Sequence, residues 1–314
     1  MSAAAFAFVF PGQGSQAVGM LDAWGDHPEV ARTLAEASAA LGEDIAALIK
    51  TGPKEQLDLT TNTQPVMLTA GVACYRAWIA ETGLVPAAAA GHSLGEYTAL
   101  VASGALSLAD ALPLVRFRAQ AMQEAVPVGV GAMYAILGLD GALVRETCLQ
   151  AAAASGEVVE AVNFNDPKQT VIAGSKAGVE KAAEMLKAAG AKRALQLPVS
   201  APFHSSLMKP AAERLREKLA AANFGAQAFP VINNIDVAVT AGAEDLRDAL
   251  YRQAFGPVRW VEVIQALKAR GLTHIIECGP GKVLAGMAKR IDAEIVSTTV
   301  LDPASLVEAK NLLG

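Results

Sequence analysis

The sequence predicts an α/β protein in which a large parallel-sheet domain carries a smaller inserted one, and three observations support this. Short apolar runs alternate with helical patterns in the first and last thirds, the order of a parallel sheet covered by helices. The middle third changes to strand, helix, strand, strand, helix, strand, the ferredoxin-like βαββαβ order. A serine flanked by glycines stands where a strand runs into a helix.

The chain begins with an apolar run over 5–10, closed by Pro11 and Gly12, which reads as a buried first strand. No lysine or arginine precedes Arg32, so the run does not read as a secretion signal. Apolar residues at helical spacing predict helices over 29–41 and 66–81. The alanine run over 87–90 predicts the next strand, followed by helices over 96–103 and 107–124. Gly129 and Gly131 mark the entrance to the middle third, and Pro198 and Pro202 its exit. Between them lie a strand over 132–137, a helix over 141–153, strands over 158–164 and 170–173, a helix over 177–189 and a strand over 193–199. The last third predicts a helix over 211–222, a strand over 231–235, helices over 245–255 and 258–270, a strand over 274–278 and a helix from Lys282. The result is an α/β-hydrolase-like large domain from residues 1–128 and 200–314, with a ferredoxin-like domain from 129–199 inserted in it. The cleft between the two is the expected place for a ligand.

Composition excludes several classes of function. The 314 residues are 53% hydrophobic and 18% charged, enough for a full core, yet no apolar stretch reaches the roughly 18 residues that cross a bilayer. A net charge of -5 disfavours nucleic acid and membrane surfaces as partners. Cys74, Cys148 and Cys278 are odd in number and widely spaced, so neither a disulfide framework nor a metal site is expected, and reduced thiols in the cytoplasm are.

The segment GHSLG fits GxSxG, in which a nucleophile sits on a strained turn between strand and helix. Glycines at both ends remove side chains that would clash, and the following helix N-terminus offers N–H groups to an oxyanion. The nucleophile is then Ser93. Its base must be one of four histidines. His27 lies in a polar loop, His92 leaves the turn in another direction, and His274 enters an apolar strand. His204, in the proline-broken loop that returns from the inserted domain to the cleft, is the choice.

The segments FVFPGQGSQ, NTQP, GHSLGEY, VRFRAQAMQ, AVNFNDP, SAPFHSSLMKP and ECGPGKVL, in this order along nearly the whole chain, resemble the malonyl-CoA:acyl carrier protein transacylases. The resemblance implies that Ser93 takes the malonyl group from malonyl-CoA as an ester and that His204 moves the proton. The thiol of acyl carrier protein then takes the group up by a ping-pong route. It also implies an oxyanion hole at the backbone N–H groups of Gln13 and Leu94, a main-chain carbonyl at Gln253 steadying the histidine, and Arg118 holding the malonyl carboxylate. Gln64 and Asn163 match positions that line the family's site, and no cofactor is expected. Phe203 resembles the bulky residue associated with unbranched malonyl groups. A guanidinium suits a carboxylate because its fork binds both oxygens. Arg116, two residues away on another helix face, is read as a surface residue.

The carrier is acidic, so docking on this acidic chain needs local basic groups; Lys192 with Arg193 and Lys289 with Arg290 are the candidate pairs. A serine hydrolase or thioesterase would use the same serine and histidine, a polyketide carrier could replace a fatty-acid one, and a non-catalytic acyl-binding protein is a further alternative. GQGSQA also fits a dinucleotide fingerprint, but a helical pattern occupies the place of the second strand and its terminal acid.

Overall fold

The computed structural model describes residues 4–199 and 201–314. Residues 1–3 and 200, which include the expected limits 1 and 200 of the large domain's two segments, lie outside the described residues. The first segment supplies β1 (Phe6–Phe10), α1 (Pro28–Leu41), α2 (Ile45–Thr51), α3 (Lys54–Leu57), α4 (Thr60–Thr82), β2 (Ala88–Gly91), α5 (Gly95–Ala102) and α6 (Leu108–Glu124). The middle supplies β3 (Gly131–Leu137), α7 (Gly141–Ser155), β4 (Val159–Asp166), β5 (Gln169–Ser175), α8 (Lys176–Ala188) and β6 (Arg193–Gln196). The last segment supplies α9 (Lys209–Ala221), β7 (Val231–Ile232), α10 (Ala243–Gln253), α11 (Trp260–Ala269), β8 (His274–Cys278), α12 (Val283–Ile291), β9 (Val296–Val300) and α13 (Pro303–Leu312).

The large sheet has five strands in the order β7-β2-β1-β8-β9, all parallel. Strand alternation divides β1 between two cores. Phe6, Phe8 and Phe10 face the core shared with α4, where Trp78 meets Phe6 and Phe8 edge-on at 5.7 and 5.5 Å. Ala7 and Val9 face the opposite core, with Trp260, Ile264 and Leu267 of α11. Each phenylalanine side chain buried here contributes roughly 1.5–3 kcal/mol, so β1 is a main source of the sheet's stability.

The second sheet has four strands in the order β4-β5-β3-β6 with antiparallel pairing. Ile136, Val159 and Ile172 pack under α7 and α8, while Met133, Val162 and Val171 join the large domain's core. The small sheet is therefore covered on both faces, and the second face sets it against the cleft.

Several expected boundaries move, each for a local reason. The helix expected over 66–81 begins at Thr60 and takes in Pro65, whose missing N–H removes a single bond of the second turn. The strand expected over 231–235 stops at Ile232, because the Asn233 side chain accepts from the Asp236 N–H at 2.7 Å and turns the chain. The strand expected over 193–199 stops at Gln196, before Pro198. Val258, expected to start a helix, is bound to β4 instead, through Val162 and Phe164, and α11 begins at Trp260. Strand β9 and helices α2, α3 and α13 have no counterpart among the expected elements.

Buried Glu277, at the end of β8, explains part of ECGPGKVL. Burial pushes its carboxyl up to about 7, against N–H groups at the start of α12 that include Ala285 at 2.9 Å.

Candidate active site

Close backbone packing forms the turn between β2 and α5. A Cβ on Gly91 would lie 1.9 Å from the carbonyl of Gly95, and one on Gly95 would lie 2.0 Å from the Phe10 oxygen. Gly12, in the loop after β1, approaches the same turn, since its Cβ would meet the His92 oxygen at 2.6 Å. These contacts account for both the GxSxG spacing and the glycine in FPGQGS.

Ser93 sits on this turn at φ 53°, and His204 at φ 65°; Val237 is the other non-glycine residue with positive φ among those described. Such conformations cost about 1–3 kcal/mol each and persist where neighbours hold them. The Ser93 N–H donates to Asn234 Oδ1 at 2.7 Å, Asn234 Nδ2 donates to the Gly91 oxygen at 2.7 Å, and Gln253 Nε2 donates to the Ser93 oxygen at 2.9 Å.

Ser93 Oγ lies 2.7 Å from His204 Nε2, and His204 Nδ1 lies 2.9 Å from the main-chain oxygen of Gln253. A carbonyl only accepts, so Nδ1 carries the proton and Nε2 offers its lone pair to the serine hydroxyl. Burial, reinforced by the charge of Arg118, lowers the His204 pKa to about 3, despite the opposing Gln253 carbonyl. The imidazole is neutral at neutral pH, as a base must be.

Arg118 is 2% exposed on α6. It donates through Nη1 to Gln64 Oε1 at 2.8 Å, and through Nη2 to Gln253 Oε1 at 3.1 Å and Ser93 Oγ at 3.2 Å. The Tyr97 ring lies 5.5 Å from the guanidinium carbon. These hydrogen-bond partners are all neutral, and among the described residues its Nε has no partner. Burial pulls its pKa down, but an arginine stays protonated. Arg116, by contrast, pairs with Glu43 and Asn62 away from the cavity.

The cavity around Ser93 holds about 120 Å³, well below the size of a drug-like pocket. Gln13, Gln64, Leu94, Arg118, Asn163 and His204 all line it, so the structure brings together the residues singled out in the sequence. Met122, Met133, Leu197, Val199 and Phe203 form its apolar wall. Asn163 Oδ1 is buried without a partner there. Leu94 is the N-cap of α5, the end of the helix whose dipole favours an anion, while the N–H groups of Gly95, Glu96 and Tyr97 are already bound to main-chain oxygens.

The basic pairs lie elsewhere. Lys192, Arg193, Lys289 and Arg290 are exposed and line no part of this cavity. Arg290 Nε is bound to buried Asp166 at 2.7 Å, so its charge is already engaged.

Sequence reading missed two residues and one side chain. Asn234 pins the serine turn, Glu96 is a buried acid beneath it that accepts from the Asn234 N–H, and the Gln253 amide joins Arg118 to Glu96 and to the Ser93 carbonyl. Glu96 follows the nucleophile by three positions, the one signal available in the sequence. Burial raises its carboxyl to about 7, with donors from Gln253 and Asn234 pulling the other way.

The acyl transferase domain model matches residues 7–298. The chain is 52% identical over 308 residues to the malonyl CoA-acyl carrier protein transacylase of Escherichia coli, covering 98% of this chain and 99% of that protein. Among solved structures, the acyl-carrier-protein S-malonyltransferase of Burkholderia pseudomallei is 64% identical with a TM-score of 0.96, covering 98% of this chain and 99% of that one. A malonyl-transacylase solved in complex with a type II PKS acyl-carrier protein is 48% identical with a TM-score of 0.96, covering 98% of this chain and 100% of that one.

Proposed function

Because the chain belongs to the acyl transferase family, we propose that it moves the malonyl group from malonyl-CoA to the phosphopantetheine thiol of acyl carrier protein, supplying extender units for fatty-acid synthesis. The observation that carries this reading is Arg118. A buried guanidinium with neutral partners, 3.2 Å from the nucleophilic oxygen, is the group that suits an anion carried by the acyl group itself.

In the first half-reaction Ser93 Oγ attacks the thioester carbonyl while His204 Nε2 takes its proton. The malonyl carboxylate pairs with Arg118, which holds the carbonyl over the serine. The oxyanion is received by the N–H groups of Gln13 and Leu94, each donor typically worth ~3–4 kcal/mol in the transition state. The tetrahedral intermediate expels the CoA sulfur, which receives the proton from His204, and leaves a malonyl ester on Ser93. In the second half-reaction His204 deprotonates the carrier thiol, which attacks that ester and regenerates the Ser93 hydroxyl. The Gln253 carbonyl keeps Nδ1 protonated in both halves. No step calls for a cofactor or a metal ion.

We read the two sheets as an α/β-hydrolase-like domain from 1–128 and 200–314 and a ferredoxin-like insertion over 129–199. The central β5 and β3 of the small sheet, its third and first strands, support the second reading. The cytoplasmic assignment is part of the same proposal, supported by the three free cysteines.

Incubation with malonyl-CoA and intact-mass analysis test the mechanism: a malonyl adduct is expected on the wild type and none on Ser93→Ala. Label from the adduct is expected on carrier protein. Release mainly as free malonate would make the protein a hydrolase and overturn the proposal.

A further inference from the structure

We propose that Glu96 is a positioning residue for Arg118, acting through the side-chain amide of Gln253; this rests on the reading of Arg118 as the carboxylate-binding group. The Gln253 amide is fully buried and has two orientations that differ by exchange of its oxygen and nitrogen. In the structure Nε2 faces two acceptors, the Ser93 carbonyl at 2.9 Å and Glu96 Oε2 at 3.1 Å, and Oε1 faces Arg118 Nη2 at 3.1 Å. The opposite orientation would set oxygen against both acceptors and an NH2 group against the guanidinium. Glu96 Oε2 supplies the side-chain acceptor that favours the first orientation. Gln253 Oε1 then draws Nη2 to the place where it also reaches Ser93 Oγ.

The same Glu96 oxygen accepts from the Asn234 N–H at 2.9 Å, and the Asn234 side chain holds the serine turn at Ser93 and Gly91. One carboxylate oxygen therefore ties the turn that presents the nucleophile to the amide that orients the arginine. No step of the transfer uses Glu96 directly. A carboxyl 2% exposed with no cation bonded to it is costly to ionise, and its two N–H donors oppose that cost.

The test compares kcat/KM for malonyl-CoA and acetyl-CoA. A smaller folded fraction or a loosened serine turn lowers both alike and cancels in their ratio, whereas a misplaced Arg118 lowers malonyl alone. Glu96→Ala is expected to reduce the malonyl-to-acetyl ratio ~10-fold or more, the scale of a hydrogen bond to a charged group. Glu96→Gln, whose side-chain oxygen can still accept both N–H groups, is expected to stay within ~3-fold of the wild-type ratio. Gln253→Met keeps the main-chain carbonyl and loses the amide, and is expected to match Glu96→Ala, with no further loss in the double variant. An unchanged ratio in Glu96→Ala, or multiplicative losses in the double variant, would overturn the proposal. Should Glu96→Ala not fold, an unchanged ratio in Gln253→Met overturns it alone. A wild type with no preference for malonyl sinks the reading of Arg118 itself, whereas a wild-type preference that survives in these variants sinks only the role of Glu96.

Discussion

The two walls of the cleft are built on different principles. The large-sheet wall consists of backbone in forced contact, with Gly12, Gly91 and Gly95 placed where a single Cβ would lie 1.9–2.6 Å from main-chain atoms. The small-sheet wall is a set of apolar side chains, Met133, Leu197 and Val199, with Asn163 among them. The first fixes where the reacting oxygen stands, and the second sets the size of what reaches it. The chemistry should therefore fail abruptly when the first wall is altered, and selectivity should drift gradually when the second is.

Gly95→Ala attacks the first wall, because its Cβ would meet the Phe10 carbonyl and backbone cannot yield. A loss of at least ~4 kcal/mol, or of soluble protein altogether, is expected in denaturant unfolding. A wild-type midpoint would show that the wall is not rigid. Arg118→Ala comes next, with kcat/KM for malonyl-CoA lowered ~10²–10³-fold and acetyl-CoA affected far less, as expected when one partner of a buried charge pair is removed. Arg118→Lys should restore only part of this, since an ammonium lacks the fork.

Met133→Ala probes the second wall. It should cost roughly 2–5 kcal/mol of stability and raise the methylmalonyl-to-malonyl ratio ~10-fold, the scale on which a pocket reads one carbon. An unchanged ratio would take size selection away from the small sheet. Lys289→Glu, outside both walls, should raise the KM for carrier protein ~3-fold or more and leave malonyl-CoA unaffected. Equal effects on both substrates would remove this patch from docking.

The smallest expected effect is an absence of change. With its pKa lowered to about 3, His204 should show a neutral, Nδ1-protonated ring in nitrogen NMR from pH 8 down to about 5. An imidazolium signal at pH 6 would contradict the burial argument. The sign for stability follows: the unfolded imidazole takes a proton near pH 6.5 that the buried one refuses, so this group's contribution to stability falls as pH drops from about 6.5 toward 3.

The first wall was the more legible in the sequence. GxSxG, the alanine strand before it and the glycines after β1 are local signals, and the structure places them as their spacing implies. The polar network was less so. Glu96 meets Asn234 and Gln253 across 138 and 157 positions, and nothing in an isolated acid or amide announces such a partner. Helix α13 is a different case, since Asp302 and Ser305 form a capping box and Pro303 follows the cap, local signals of a helix start that lie within the sequence itself. Strand β7 is shorter than the expected 231–235 because apolar residues suggest a strand but do not say where asparagines will turn it.

The group that orients His204 is main chain, at Gln253, and this shapes the lifetime of the proton it borrows. A carboxylate in that place would stabilise the protonated ring as an ion pair. Here the cationic ring gains only the pull of a dipole. The doubly protonated ring is therefore a brief visitor, quick to pass its proton to the departing sulfur, and the ester it leaves behind sits beside a base already reset for the next thiol.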